Sequence, residues 1–143
     1  INVLADTFNS DVLAVDIGMN SYCKNTKLIN RKIACGTENI AAGAAMTYEQ
    51  AESAISVGMD IVGDLKNKGV NIIVTGEMGI GNTTIASALS AVLLNLSPKA
   101  VTGRGAGLDS EGLSRKISVI ERAIAVNNPD VNKPIELLVK LGY

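Results

Sequence analysis

The sequence predicts part of an α/β domain: a Rossmann-like open parallel sheet with helices on both faces, in three layers. Short apolar runs alternate with longer amphipathic segments, and glycines cluster where an apolar run gives way to a helical pattern. The run 71–75 is rich in β-branched residues and lacks alternation, which is typical of a strand buried on both faces. Parallel sheets bind ligands beyond the carboxyl ends of their strands, where both glycine clusters fall.

The first third of the chain is expected to form a helix, a strand and a loop. Residues 1–10 place apolar side chains on one helical face, and the apolar run that ends at Asp16 predicts a strand. Residues 18–32 show no periodicity and predict an exposed loop. An Asp at a strand end is often only a turn former, so Asp16 carries no function by itself.

A long helix is expected after Thr47, because Thr47 and Gln50 have capping-box spacing. The segment from Lys66 to Gly69 supplies basic charge and a C-terminal stop. The apolar stripe of this helix is expected to be core, and it consists of Ala51, Ala54, Ile55, Met59, Val62 and Leu65.

Two further strand-to-helix units are expected in the second half. After strand 71–75, a helix should begin at Thr83 or Thr84 and end before Pro98. Val101 is expected in a second, weaker strand end or in a loop, and Asp109 or Ser110 should cap the helix that follows. A last helix is expected from about Asn132.

Two glycine loops precede the helices of these units, "GEMGIG" at 76–81 (the first glycine loop) and "GRGAG" at 103–107 (the second glycine loop). Glycines let the backbone approach a ligand, and a helix N-terminus offers N–H groups with a positive dipole end. The alternative is that both loops are tight turns whose glycines serve only the backbone conformation. Two such loops on one sheet edge favour a nucleotide-sized ligand that contains a phosphate.

The first glycine loop has the G-x-x-x-x-G spacing of a P-loop, but Asn82 stands where that motif has lysine. Triphosphate hydrolysis is therefore not expected. Lys116 could supply a single cation for a monophosphate, although a solvated helix lysine is the common alternative. Glu77 could contact ribose hydroxyls or a developing positive charge, or it could merely complement the helix dipole.

Composition excludes several classes of function. The formal net charge is -1, so no strong field exists for nucleic acid, and no apolar run has the length of a membrane helix. The chain contains no histidine, which removes triads and most metal sites, and we expect neither a metal nor a cofactor. Two distant cysteines indicate cytosolic thiols rather than a disulfide framework. The chain starts at Ile1 without a leader pattern, and we expect it to be cut from a longer protein.

The strings "GEMGIGNTT", "TGRGAGLDSEGL" and "KISVIERA" resemble the nicotinate mononucleotide:dimethylbenzimidazole phosphoribosyltransferase family, and "VDIG", "GTENI" and "AMT" extend the resemblance over nearly the whole chain. The resemblance implies that residues 1–143 are the central nucleotide-binding domain of a longer, cytoplasmic, homodimeric pentosyltransferase. Its reaction would move 5-phosphoribosyl from nicotinate mononucleotide to an aromatic lower-ligand base in cobalamin synthesis, with release of nicotinate and inversion at the anomeric carbon.

The family pattern also implies the site residues. Glu77 is expected to contact substrate without acting as the general base. The residues implied at the nucleotide are Gly79, Gly81, Asn82, Thr83, Gly103, Arg104, Gly105, Gly107 and Lys116. The family's general base is a glutamate well downstream of the second glycine loop and outside this chain, and Glu111 and Glu121 match no catalytic position.

Three positions depart from the family pattern, Ala44 and Ile85 for Pro and Ala106 for Thr. Phosphate binding is still expected with these three residues, but the identity of the acceptor base stays open. Two other functions also stay open: a nucleotide-binding scaffold subunit without catalysis of its own, and a degenerate P-loop ATPase that binds ATP with magnesium.

Overall fold

The computed structural model describes residues 1–142, in which helices and a parallel sheet are both present. The elements are α1 (Asn2–Thr7), β1 (Ala14–Asp16), β2 (Leu28–Asn30), α2 (Tyr48–Asn67), α3 (Asn82–Leu94), α4 (Pro98–Val101), α5 (Ser110–Asn127) and α6 (Pro134–Leu141). The α/β class with a parallel sheet is confirmed. None of the helices in residues 1–142 is long and apolar enough to cross a membrane.

The chain divides into two compact units, Ile1–Gly36 and the residues from Thr37 onward. The first unit contains α1 and the two-stranded parallel sheet, in which Ala14 pairs with Leu28 and Asp16 with Asn30. The strand β2 lies inside the segment 18–32 that was expected to be an irregular loop, and that expectation was wrong at these three residues. The single-domain assignment and the three-layer arrangement stay predictions.

Asp16 anchors the first unit. Its carboxylate lies 2.9 Å from the ammonium of Lys32 and accepts a hydrogen bond from the Met19 N–H at 2.8 Å. Lys32 also donates to the carbonyls of Met19 and Ser21. The Met19 N–H and then Lys32 hold the pKa of Asp16 below its ordinary value. Sequence analysis interpreted Asp16 as a turn former. Its hydrogen bond to the Met19 N–H, three residues later, agrees with that interpretation.

The second unit is a helical bundle whose core lies among α3, α5, α6 and the segment before α2. Its fully or nearly buried apolar side chains are Ile40, Ala45, Ala88, Ile120, Ala123, Leu137 and Leu141. Asn127 joins α5 to that segment, because its side-chain amide donates to the Ile40 carbonyl at 2.7 Å. The segment in turn bonds to α6 through the amides of Ala45 and Met46.

Helix boundaries follow the local signals in the sequence. Thr47 and Gln50 form the expected capping box at the start of α2, and the Asp109 carboxylate caps α5 by accepting the Gly112 N–H at 2.7 Å. Pro98 begins a short helix, α4, and Val101 belongs to that helix. The expectation of a strand end at Val101 was therefore wrong.

Two apolar segments that were expected to be buried are exposed. Residues 71–75 form no strand, and residues 71–78 donate no backbone hydrogen bond to any other described residue. Val74 is 90% exposed. Along α2 only Ala51 of the predicted stripe is buried, and Met59 is 69% exposed. A strand needs a neighbour to pair with, and residues 71–75 have none in the described chain. The helix α6 packs against α2, but it leaves Ile55, Met59 and Val62 of the stripe exposed.

Candidate functional site

The first glycine loop turns sharply into α3. Gly81 is the residue before the helix and has φ 91°, a left-handed conformation that side chains disfavour. The amides of residues 76–81 donate no hydrogen bond to another described residue. They are therefore open donors at the positive end of the α3 dipole.

The second glycine loop leads into α5 in a similar way. Gly105 and Gly107 both have left-handed backbones, with φ 59° and 103°. The amides of residues 103–107 also donate no hydrogen bond within the described chain. Each of the two helices thus begins next to a loop that presents unused backbone donors.

Lys116, on the second turn of α5, connects the second glycine loop to the first turn of α3. Its ammonium donates to the Thr83 hydroxyl at 2.7 Å and to the Gly103 carbonyl at 3.1 Å. The residue is 8% exposed, and no carboxylate of residues 1–142 lies within ion-pair distance of it. A buried cation that meets only neutral oxygens retains its full attraction for an anion.

Gly105 shows how closely the second glycine loop approaches the first turn of α3. A Cβ at this position would lie 2.9 Å from the Thr83 hydroxyl oxygen and 3.5 Å from the Lys116 ammonium. A side chain at residue 105 would therefore push against Thr83 of the other loop's helix. The structure brings Thr83, Gly103, Gly105 and Lys116 to one place.

Asn82 does not act as a substitute for the missing P-loop lysine. Its side-chain oxygen accepts the Thr83 N–H at 2.7 Å, and its amide group donates to the Glu77 carbonyl at 3.4 Å. The side chain thus holds the loop and the first turn of α3 together. The ammonium that bonds to this turn is that of Lys116, on a different helix, through the Thr83 hydroxyl.

Glu77 belongs to the first glycine loop and Arg104 to the second. The Glu77 residue is exposed, and its carboxylate bonds to no other described residue. Arg104 points back onto its own loop, where it donates to the Leu108 carbonyl at 2.8 Å and to the Ser110 hydroxyl at 3.2 Å. Sequence analysis did not single out Ser110 for this contact, because loop residues six apart have no periodic geometry that predicts one.

The combined features of the two loops suit an anion with several oxygens. The buried Lys116 ammonium, the Thr83 hydroxyl in the first turn of α3 and the second glycine loop lie together, and both loops carry backbone donors that no described residue accepts. Phosphate binding at helix N-termini uses the same groups. Residues 1–142 contain no group of three or more acidic or sulfur side chains that could hold a metal ion.

Comparison with known proteins agrees with this geometry. A family model described as Phosphoribosyltransferase matches residues 1–142. The chain belongs to this phosphoribosyltransferase family. It is 49% identical over 142 residues to the nicotinate-nucleotide–dimethylbenzimidazole phosphoribosyltransferase of Acetivibrio thermocellus and covers 40% of that protein. It is 46% identical over 143 residues to the protein of the same name from Geobacter metallireducens, again over 40% of its length.

A solved structure of the family shares the fold. The crystal structure of CobT from Thermus thermophilus matches 99% of this chain and 42% of its own with a TM-score of 0.91 and 38% identity. The chain therefore spans about 40% of the length of the relatives that it matches. The family resemblance expected from the glycine-rich motifs is confirmed.

Proposed function

We propose that this chain forms the phosphoribosyl-binding part of an enzyme that transfers 5-phosphoribosyl from nicotinate mononucleotide to an aromatic lower-ligand base. Dimethylbenzimidazole is the base named in the relatives. Nicotinate is the leaving group, and the nucleotide product serves cobalamin synthesis. The observation that carries the proposal is the position of Lys116, which bonds to Thr83 just after the first glycine loop and to Gly103 of the second.

Phosphate binding is assigned to backbone donors and one cation. The open amides around Gly79 and Gly81 and those of the second glycine loop would surround the phosphate, while Lys116 balances its charge. Thr83 lies within hydrogen-bond distance of Lys116, so its hydroxyl can serve the same oxygens. Lys116 is buried here, whereas the guanidinium of Arg104 is engaged by Leu108 and Ser110, so a sugar monophosphate fits this site better than a triphosphate.

Glu77 is assigned to the sugar side of the substrate. Its carboxylate is exposed and free of ion pairs within the described chain, so it can accept hydrogen bonds from ribose hydroxyls. We assign the general base to a glutamate that this chain does not contain. Glu111 is paired with Arg115 on the exposed side of α5, and Glu121 lies two to three turns further along that helix. The 143-residue chain alone should therefore turn over little substrate.

The remaining assignments follow the family and the composition. We propose a cytoplasmic location, which the two free cysteines Cys23 and Cys35 favour, and a homodimer for the whole enzyme. Neither nucleic acid nor membrane is proposed as a partner, since the formal net charge is only -1.

Calorimetry with three ligands tests the proposal. Nicotinate mononucleotide should bind without magnesium, and nicotinate should bind far more weakly because it lacks the phosphoribosyl group. ATP should not gain affinity when magnesium is added. Magnesium-dependent ATP binding, with no binding of nicotinate mononucleotide, would instead identify the degenerate P-loop ATPase.

A further inference from the structure

We propose that Arg104 is a positioning residue, which shapes the second glycine loop for the ligand and does not itself bind the phosphate. The inference rests on the proposed function, because the loop is taken to bind the phosphoribosyl group. It revises the role that the family resemblance implies for this residue, which is direct contact with the nucleotide.

The guanidinium of Arg104 closes the loop on itself. One terminal nitrogen donates to the Leu108 carbonyl at 2.8 Å and the other to the Ser110 hydroxyl at 3.2 Å. The backbone adds a third link, since the Leu108 N–H donates to the Arg104 carbonyl at 3.1 Å. The two-pronged donor set of arginine suits two acceptors held side by side, which a lysine could not match.

The location of the charge supports a geometric role. Ser110 is the first residue of α5, so the guanidinium lies near the positive end of that helix. A cation is electrostatically disfavoured there. Its two hydrogen bonds hold it in place, and Asp109 and Glu111 supply acidic groups in the same turn. The two hydrogen bonds of the side chain therefore tie residue 104 to the start of the helix.

The consequence for the loop is that Gly105 and Gly107 are held between two fixed points. Residue 104 is tied to residues 108 and 110, and Asp109 caps α5. Both glycines have left-handed backbones, and the amides of residues 105–107 are unused within the described chain. Without the Arg104 links, these amides would sample many directions, and the ligand would have to order them when it binds.

Ser110 provides the decisive test, because its hydroxyl bonds to Arg104 and carries no charge for a phosphate. Binding of nicotinate mononucleotide to the full 143-residue chain would be measured by calorimetry for Arg104→Gln, Ser110→Ala and the double variant. Each single variant should weaken binding, about tenfold for Arg104 and severalfold for Ser110, and the double variant should bind no more weakly than Arg104→Gln. Ser110→Thr keeps the hydroxyl and should retain the wild-type affinity.

Two controls separate positioning from loss of charge or of fold. Arg122→Gln removes the same charge from an exposed place on α5 and should bind like the wild type. Thermal unfolding midpoints of all variants should stay close to the wild-type value. If Ser110→Ala binds normally while Arg104→Gln does not, Arg104 contacts the ligand and the inference is overturned. Equal loss of affinity and of thermal stability would also overturn it.

Amide NMR spectra of the ligand-free protein test the inference independently of ligand binding. Arg104→Gln and Ser110→Ala should shift the amide resonances of Gly105 and Gly107 in the same direction. If those resonances do not move, Arg104 does not shape the loop. If the wild type fails to bind nicotinate mononucleotide, the proposed function fails, and the two spectra still show whether Arg104 positions the loop.

Discussion

The two glycine loops lead into helices in the same way but are held very differently. The second glycine loop is tied down by Arg104, by the cap at Asp109 and by the Lys116 bond to Gly103. Within residues 1–142, the first is held by Asn82, whose backbone N–H donates to the Gly79 carbonyl at 3.2 Å and whose side chain donates to the Glu77 carbonyl at 3.4 Å. From this difference we expect the second glycine loop to be the better ordered of the two in the absence of ligand.

The largest effect is expected from Lys116→Met, which removes the bonds to Thr83 and Gly103 and keeps an unbranched apolar chain. Affinity for nicotinate mononucleotide should fall about 10–100-fold, because a charge-assisted hydrogen bond to phosphate is lost. Calorimetry provides the measurement. Arg115→Met is the matched control, since Arg115 is exposed and pairs with Glu111 outside the loops. Wild-type affinity in Lys116→Met would mean that the loops do not share one ligand.

A smaller effect is expected from Gly105→Ala, which tests how closely the second glycine loop approaches Thr83 of α3. The left-handed backbone and the Cβ contact at 2.9 Å from Thr83 should lower the free energy of unfolding by about 1–2 kcal/mol. Urea denaturation measures the change. Gly103→Ala is the control in the same loop, because a Cβ there meets nothing within 4 Å and its φ is not positive. Equal effects of the two variants would contradict the close approach.

The smallest effect concerns motion in the absence of ligand. Backbone order parameters should be lower in residues 76–80 than in residues 104–109, at about 0.6 or less against about 0.8. Nitrogen-15 relaxation measures both segments in one sample. Addition of nicotinate mononucleotide should raise the values of the first glycine loop most. Equal order in the two ligand-free loops would contradict the expectation that the second glycine loop is the better ordered.

The local signals in the sequence predicted the helices well. The capping box at Thr47, the cap at Asp109 and the glycine before α3 all act within one turn, so that a short stretch contains the whole interaction. The glycine loops were predicted for the same reason. Their left-handed residues Gly81, Gly105 and Gly107 need the absence of a Cβ, which the sequence states directly.

The predictions that failed depended on neighbours. The β-branched run 71–75 has the pattern of a buried strand, but a strand forms only when another strand takes its hydrogen bonds. The stripe on α2 likewise marks a face that needs a covering element, and Met59 is 69% exposed in the described chain. The short strand β2 was missed because its pairing with β1 comes from residues that lie 14 positions earlier.

The sequence by itself determined the caps of α2 and α5, the positions of the glycine loops and the family that the chain resembles, because caps, glycine positions and motif letters are local properties. Only the tertiary structure decided that Lys116 meets Thr83 across 33 residues and that Arg104 turns back onto Ser110. The Arg104 contact depends on the path of the loop between residues 104 and 110. The Lys116 contact depends on how α5 packs against α3, and the packing of two helices is determined by the whole buried surface between them rather than by any short motif.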